Sequence, residues 1–326
     1  MPLKGAGFKK NSSRCCYLER AVQARQVSGY QEQKTVMNWS LAVAALLLMA
    51  KMAAAIVTGS SAIFSDAAES VVHLLAVSFA AWALRYSYKP ADKTHQFGHD
   101  KVSFVSAGFE GAMICAAATL IFYEAIGQWI NGVKIENLGL GVAITAAAGA
   151  INLLLGLALL AVGKRNGSPL LRANGHHVLT DVWSSVAVLV ALGLYHFTQW
   201  PLWDPIAAIL AALNILRVGF RLIRESLAGL LDESDSAAHK KVCDLLDEEV
   251  KTRGLSYHNL RYRHSGRTHW VEFHLVFADA LTVGTAHEAA TQIEARVAGL
   301  FHPEGRVISH LEPKSAEHHN ERWEQR

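Results

Sequence analysis

The stretch FSDAAESVVHLLAVSFAAWALRYSYKPADKTHQFGHDK, residues 64–101, decides how the rest of the chain is read. Its first part belongs to an apolar run over 62–86. About 20 mostly apolar residues carry a helix across roughly 30 Å of hydrocarbon, so this run is long enough to span a bilayer. Yet it holds Asp66, Glu69 and His73. Glu69 and His73 are four apart and therefore share one helix face, one turn from each other. An Asp at mid-membrane costs on the order of 2.5–3.5 kcal/mol on insertion scales, so such a set points to function rather than packing. The run ends in the polar connection PADKTHQFGHDK, where Asp92, His95 and His99 bring three potential metal ligands close together.

Working outward, the 326 residues are 51% hydrophobic and 18% charged, against about 25% charged in average soluble proteins. The deficit lies in the first two thirds, which excludes a simple cytosolic enzyme. Six runs qualify as transmembrane helices: 37–57, 62–86, 102–130, 138–162, 170–197 and 205–230. A polar, basic segment, 1–36, precedes them and has no apolar stretch or cleavage site near Met1, so no cleavable signal peptide is expected. Basic residues set the orientation. Lys9, Lys10, Arg14, Arg20, Arg25 and Lys34 lead the chain, Lys89, Lys93 and Lys101 follow the second span, and Lys164, Arg165 and Arg172 follow the fourth. The alternate loops are nearly free of Lys and Arg. Both termini are thus expected on the cytoplasmic side of the plasma (inner) membrane.

Residues 231–314 read as a cytoplasmic α+β domain with the order helix, strand, strand, helix, strand, followed by a polar, disordered tail over 315–326. In the second strand Val271, Phe273, Leu275 and Phe277 alternate with Glu272 and His274. The net charge of +3 is too small to argue for nucleic acid. Cys15, Cys16, Cys115 and Cys243 form no spaced framework, so reduced thiols are expected.

The fifth span holds His176, His177 and Asp181, and His177 with Asp181 repeats the four-residue spacing of Glu69 and His73. Two imidazoles and two carboxylates from two helices suit a tetrahedral Zn²⁺, and accept Fe²⁺, Co²⁺, Cd²⁺ or Ni²⁺. Imidazoles also bind protons near physiological pH, so metal and protons compete for such a site. That competition is the minimum chemistry of a metal–proton exchanger. Further ligand types recur in the tail at His258, His274, His287, His310 and Glu312. The stretch HEAAT at 287–291 is not a zinc-hydrolase motif, because Thr291 stands where a second histidine is needed. No nucleophile–base set appears elsewhere, so an enzyme is not expected.

In FSDAAESVVH, KPADKTHQFGHDK, HHVLTD and the tail's HLEP, the chain resembles the cation diffusion facilitator family of divalent metal/proton antiporters. The resemblance implies six transmembrane helices followed by a cytoplasmic ferredoxin-like domain, assembled as a homodimer in the lipid bilayer. It implies a transport site at Glu69, His73, His177 and Asp181, with Asp66 beside it, and a loop site at Asp92, His95 and His99. It further implies a binuclear regulatory site at His258, His274, His287, His310 and Glu312, and an interlock pairing Lys101 with Asp232. Zn²⁺ is then expected as both substrate and regulatory ligand. One departure stands out: zinc-transporting members usually present His or Asp, then Asp, where Glu69 and His73 stand here. Two alternatives follow, the same fold moving Fe²⁺, Co²⁺, Ni²⁺ or Cd²⁺, and a membrane metal sensor without transport.

Overall fold

Six long helices fill the first 230 residues of the computed structural model: α1 (Ser12–Thr58), α2 (Ser61–Ser87), α3 (Val102–Asn131), α4 (Leu138–Arg165), α5 (Pro169–Thr198) and α6 (Trp203–Leu230). The structure describes residues 12–58, 61–131, 138–198, 200 and 202–319. Each expected span falls within one helix. The first begins far earlier than its apolar run, because the basic leader holds Arg, Ala and Gln repeatedly from Arg14 to Gln33 and has no proline after Pro2. Such residues lose little rotamer freedom in a helix. Among the described residues, Val102–Gly127, Ala147–Arg165 and Pro205–Leu230 are long and apolar enough to cross a membrane by length and composition.

Two buried clusters organise the unit formed by Gln33–Glu233. Met37 of α1, Val77, Ala80 and Leu84 of α2, Leu159 of α4, and Leu170, Leu171 and Val178 of α5 make one. Ala107, Ile114 and Ala118 of α3, Ala173 of α5, and Ile215 and Leu222 of α6 make the other. Helix α5 contributes to both and so lies at the centre of the unit. A Cβ on Gly111 would come within 3.0 Å of the Gly219 carbonyl, so the pairing of α3 with α6 depends on glycine there. Polarity is distributed inside out. Glu110 and Asn174 are fully buried, whereas Leu75, Leu120, Leu154 and Phe220 are exposed. Asn174 Nδ2 donates to Ser40 Oγ at 3.1 Å, giving the buried amide a partner. Large apolar side chains facing outward are what a bilayer covers.

The unit that includes Ser234–Arg326 contains α7 (Ser236–Arg253), β1 (Ser256–His264), β2 (Thr268–Phe277), α8 (Val283–Ala298) and β3 (Glu304–Pro313). The order is the one expected from the sequence. Asp235 caps α7 by accepting from the Ala237 and Ala238 amides, and Gly254, at φ +68°, closes it. The sheet order is β1-β2-β3, with β1 antiparallel and β3 parallel to β2. The parallel pair requires a crossover, which α8 supplies. Val271, Phe273 and Leu275 of β2 pack against Val242 and Leu246 of α7 and against Ala290, Ile293 and Val297 of α8. Because side chains alternate along a strand, His274 is turned to the opposite face of the sheet.

The disordered tail expected from Ser315 is not what residues 314–319 show. Lys314–His319 forms a 3-10 helix, anchored where the Ser315 amide donates to Asp279 Oδ1 at 3.0 Å. Residues 320–326 lie outside the described residues.

Candidate metal centres

The central helix α5 carries His177 into the membrane unit, where it is 8% exposed. Its Nε2 lies 2.8 Å from His73 Nδ1 on α2. The two rings meet edge to face, with centroids 4.6 Å apart. Asp181, one turn on, brings Oδ2 to 4.0 Å from the same His73 nitrogen. Three of the four expected transport ligands are therefore neighbours, although their helices are separated in sequence. The side chains of Glu69 and Asp66 lie outside the described residues. The structure adds a group that the sequence reading passed over, Glu110 on α3, whose Oε2 is 2.8 Å from His177 Nδ1. An acid near the middle of the apolar run 102–130 was the available signal.

The loop between α2 and α3 gathers Asp92, His95 and His99 so that one ligand atom from each lies within 4.8 Å of the others. Asp92 Oδ1 accepts from the Thr94 hydroxyl at 2.8 Å and amide at 3.0 Å, and from the His95 amide at 2.8 Å. The Thr94 hydroxyl and then the His95 amide hold this carboxyl well below the usual carboxylate range. It is thus ionised and ready to bind a cation at any physiological pH. Its Oδ2 faces His99 Nε2 at 3.4 Å. The other nitrogen of His99, Nδ1, lies 3.2 Å from the Lys89 carbonyl. A carbonyl accepts only, so Nδ1 donates there, and in the neutral ring that leaves the Nε2 lone pair toward the carboxylate. Two electron-rich atoms facing each other are the donor arrangement a divalent metal would stabilise.

In the tail, His258, His274 and Glu312 form a second group within 4.8 Å, one from each strand. Register explains it: His258 pairs with His274 across β1 and β2, and His274 pairs with His310 across β2 and β3. Glu312 is two residues beyond His310 and so shares its face. His258 Nε2 and His274 Nδ1 each lie 2.9 Å from a Glu312 oxygen. Burial pushes the Glu312 carboxyl up, but the His258 hydrogen bond and the charges of His274 and His258 prevail and hold it below its ordinary value. Asn259 supports the group from a left-handed conformation, φ +53°, at an irregularity in β1. Arg261 Nε donates to Asn259 Oδ1 at 3.2 Å, which leaves the amide nitrogen to donate to His274 Nε2 at 3.2 Å. Sequence periodicity gave no hint of this residue.

His310 lies at the edge of the tail group, 66% exposed at its side chain, with Nε2 at 3.6 Å from Glu312. His287 is exposed on α8, the helix packed against the other face of the sheet, and is not brought into the group. Lys101 and Asp232 do meet: Nζ is 2.9 Å from Asp232 Oδ1 and donates to the Leu230 carbonyl at 3.3 Å. This pair ties the start of α3 to the residues after α6.

A helical bundle with outward apolar and inward ionisable side chains, joined to a domain bearing a His–His–Glu group, defines a membrane protein that handles metal cations. The Cation efflux transmembrane domain matches residues 38–231, and the Cation efflux protein, cytoplasmic domain matches residues 235–314. An uncharacterized transporter of Synechocystis is 35% identical over 286 residues, covering 86% of this chain and 92% of its own. Cation-efflux pump FieF of Shewanella oneidensis is 31% identical over 284 residues, covering 85% and 93%. FieF of Escherichia coli is 32% identical over 275 residues, covering 84% and 90%. A solved structure of CzrB in its zinc form is 26% identical, covers 26% of this chain and 93% of its own, and has a TM-score of 0.24. The chain belongs to the cation diffusion facilitator family. It is a membrane protein of the divalent-metal efflux class.

Proposed function

We propose that this protein is a proton-coupled antiporter that exports Zn²⁺ from the cytoplasm by alternating access, working as a homodimer. The observation that carries the reading is the meeting of His73, His177 and Asp181 inside a bundle whose outward face is apolar. With Glu69, one turn before His73, they offer two imidazole nitrogens and two carboxylates. Cytoplasmic Zn²⁺ binds these groups once the imidazoles are deprotonated. The bundle then changes its accessible side, and protons from outside displace the metal. All six helices cross the plasma (inner) membrane in this reading, with both termini cytoplasmic, as the basic residues of the leader and of the loops after α2 and α4 favour.

Asp92, His95 and His99 form a loop site near the cytoplasmic entrance. The tail, read as a ferredoxin-like domain, is regulatory: metal at His258, His274 and Glu312, with His310 and His287 nearby or supplied across the dimer, biases the bundle toward one state. Such bias requires a difference in metal affinity between the two states. The Lys101–Asp232 pair serves as the interlock of the membrane halves. The same nitrogen and oxygen donors accept Fe²⁺, Co²⁺, Ni²⁺ or Cd²⁺.

The test is flux in proteoliposomes under a pH gradient, across Zn²⁺, Cd²⁺, Fe²⁺, Co²⁺, Ni²⁺ and Mn²⁺. Zn²⁺ movement coupled to proton counterflow supports the reading. Robust Fe²⁺, Co²⁺ or Ni²⁺ flux without Zn²⁺ would keep the mechanism and replace the substrate. Binding without movement of any ion would replace the transporter by a sensor.

A further inference from the structure

Glu110 is a buried ionisable group that the transport reading does not use. It is 0% exposed on α3, and its Oε2 lies 2.8 Å from His177 Nδ1. This contact is close in distance but not aligned as a hydrogen bond, and it is the near polar contact of the Glu110 carboxyl group among the described residues. Burying a carboxyl group away from water is unfavourable, and a methionine would fill the space at lower cost.

The contact falls on a particular edge of the ring. His177 presents Nε2 to His73 Nδ1 at 2.8 Å, and Asp181 stands on that same side through His73. The two nitrogens of an imidazole point along different ring edges, so an ion held by Nε2 is out of reach of an oxygen sitting at Nδ1. Glu110 is thus not a further ligand to that ion. Instead, a carboxyl group packed against Nδ1 fixes the orientation of the ring and so keeps Nε2 turned toward His73.

We propose that Glu110 is the positioning residue of the transport site, holding the His177 ring in the orientation whose Nε2 faces His73 and Asp181. The site is then built from three helices rather than two. Helix α3 also begins beside Lys101, whose ion pair with Asp232 ties it to the end of α6. A shift of α3 therefore changes the backing of a metal ligand. This inference rests on the assignment of His177 as a transport ligand.

The experiment uses the full chain in proteoliposomes and measures Zn²⁺ uptake over a concentration series for E110A, E110Q, E110D and H177A. Outer carboxylate partners of ligating histidines are typically worth about 10–100-fold in metal affinity, so E110A is expected to raise KM by about that factor. The maximal rate changes far less. E110Q, which keeps the shape and a polar oxygen beside Nδ1, and E110D fall between E110A and the unaltered protein. A merely structural Glu110 would instead lower the amount of folded protein and leave KM alone. If E110A does not fold, the near-isosteric E110Q carries the test. Unchanged KM in E110Q, with or without E110A, alongside an inactive H177A overturns the proposal and leaves the transport site standing. An active H177A overturns both.

Discussion

The tail group and the membrane group are built from the same residue types but held in different ways. In the tail, His258, His274 and Glu312 stand on three hydrogen-bonded strands whose register makes them neighbours, and each imidazole lies 2.9 Å from a Glu312 oxygen. In the bundle, His73 and His177 come from helices that touch through side chains, and Asp181 stands 4.0 Å from His73 with 44% of its side chain exposed. A β-ladder cannot slide without breaking its hydrogen bonds, whereas packed helices can shift by an ångström or two. The difference suits the two proposed roles. A regulatory site gains from being assembled in advance, and a transport site must take up an ion and then give it up.

The strongest way to break this comparison is at the bundle. Asp181→Ala is expected to reduce Zn²⁺ flux to background while the protein elutes unchanged on size exclusion. Within the tail, Phe273 is 1% exposed at the centre of the sheet–helix core. Phe273→Ala should cost about 3–5 kcal/mol in a denaturant titration of that domain. If the tail group is pre-assembled, Zn²⁺ at 100 times its dissociation constant stabilises the domain by about 2.7 kcal/mol. Glu312→Ala should lose that gain in thermal unfolding with and without Zn²⁺.

The smallest expected effect is on pH dependence. An unfolded imidazole binds its proton near pH 6.5. Burial, followed by the neighbouring charge of His264, pushes His269 down to about 4. Between these values the unfolded chain holds more protons than the folded one. His269 therefore lowers tail stability as pH falls from about 6.5 to about 4, with no further loss below. Urea titrations at about pH 7 and about pH 5 should show the fall, and His269→Phe should make it shallower.

Much of this was visible in the chain because the physics is periodic. Apolar runs marked the six helices, and the alternation of Val271, Phe273, Leu275 and Phe277 marked the core face of β2. Pairs four residues apart drew attention to His73, His177 and Asp181. Glu110 escaped because it has no such partner on its own helix; its neighbour is on α5, 67 residues further along the chain. The helix preceding the first apolar run escaped because polar helix formers look alike in a helix and in a solvated leader. Asn259 and the anchored turn at Ser315 depend on single side-chain contacts across strands and loops. His287 has the right chemistry for the tail group, but α8 places it on a helix rather than on the ligand-bearing face of the sheet.

The most direct test of the central claim is Zn²⁺ flux through the reconstituted protein with an inward proton gradient, comparing the unaltered chain with H177A and D181A. The account predicts metal movement against its gradient, driven by protons, and its loss in both variants although they still fold. Proton-driven flux that persists undiminished in either variant would contradict it.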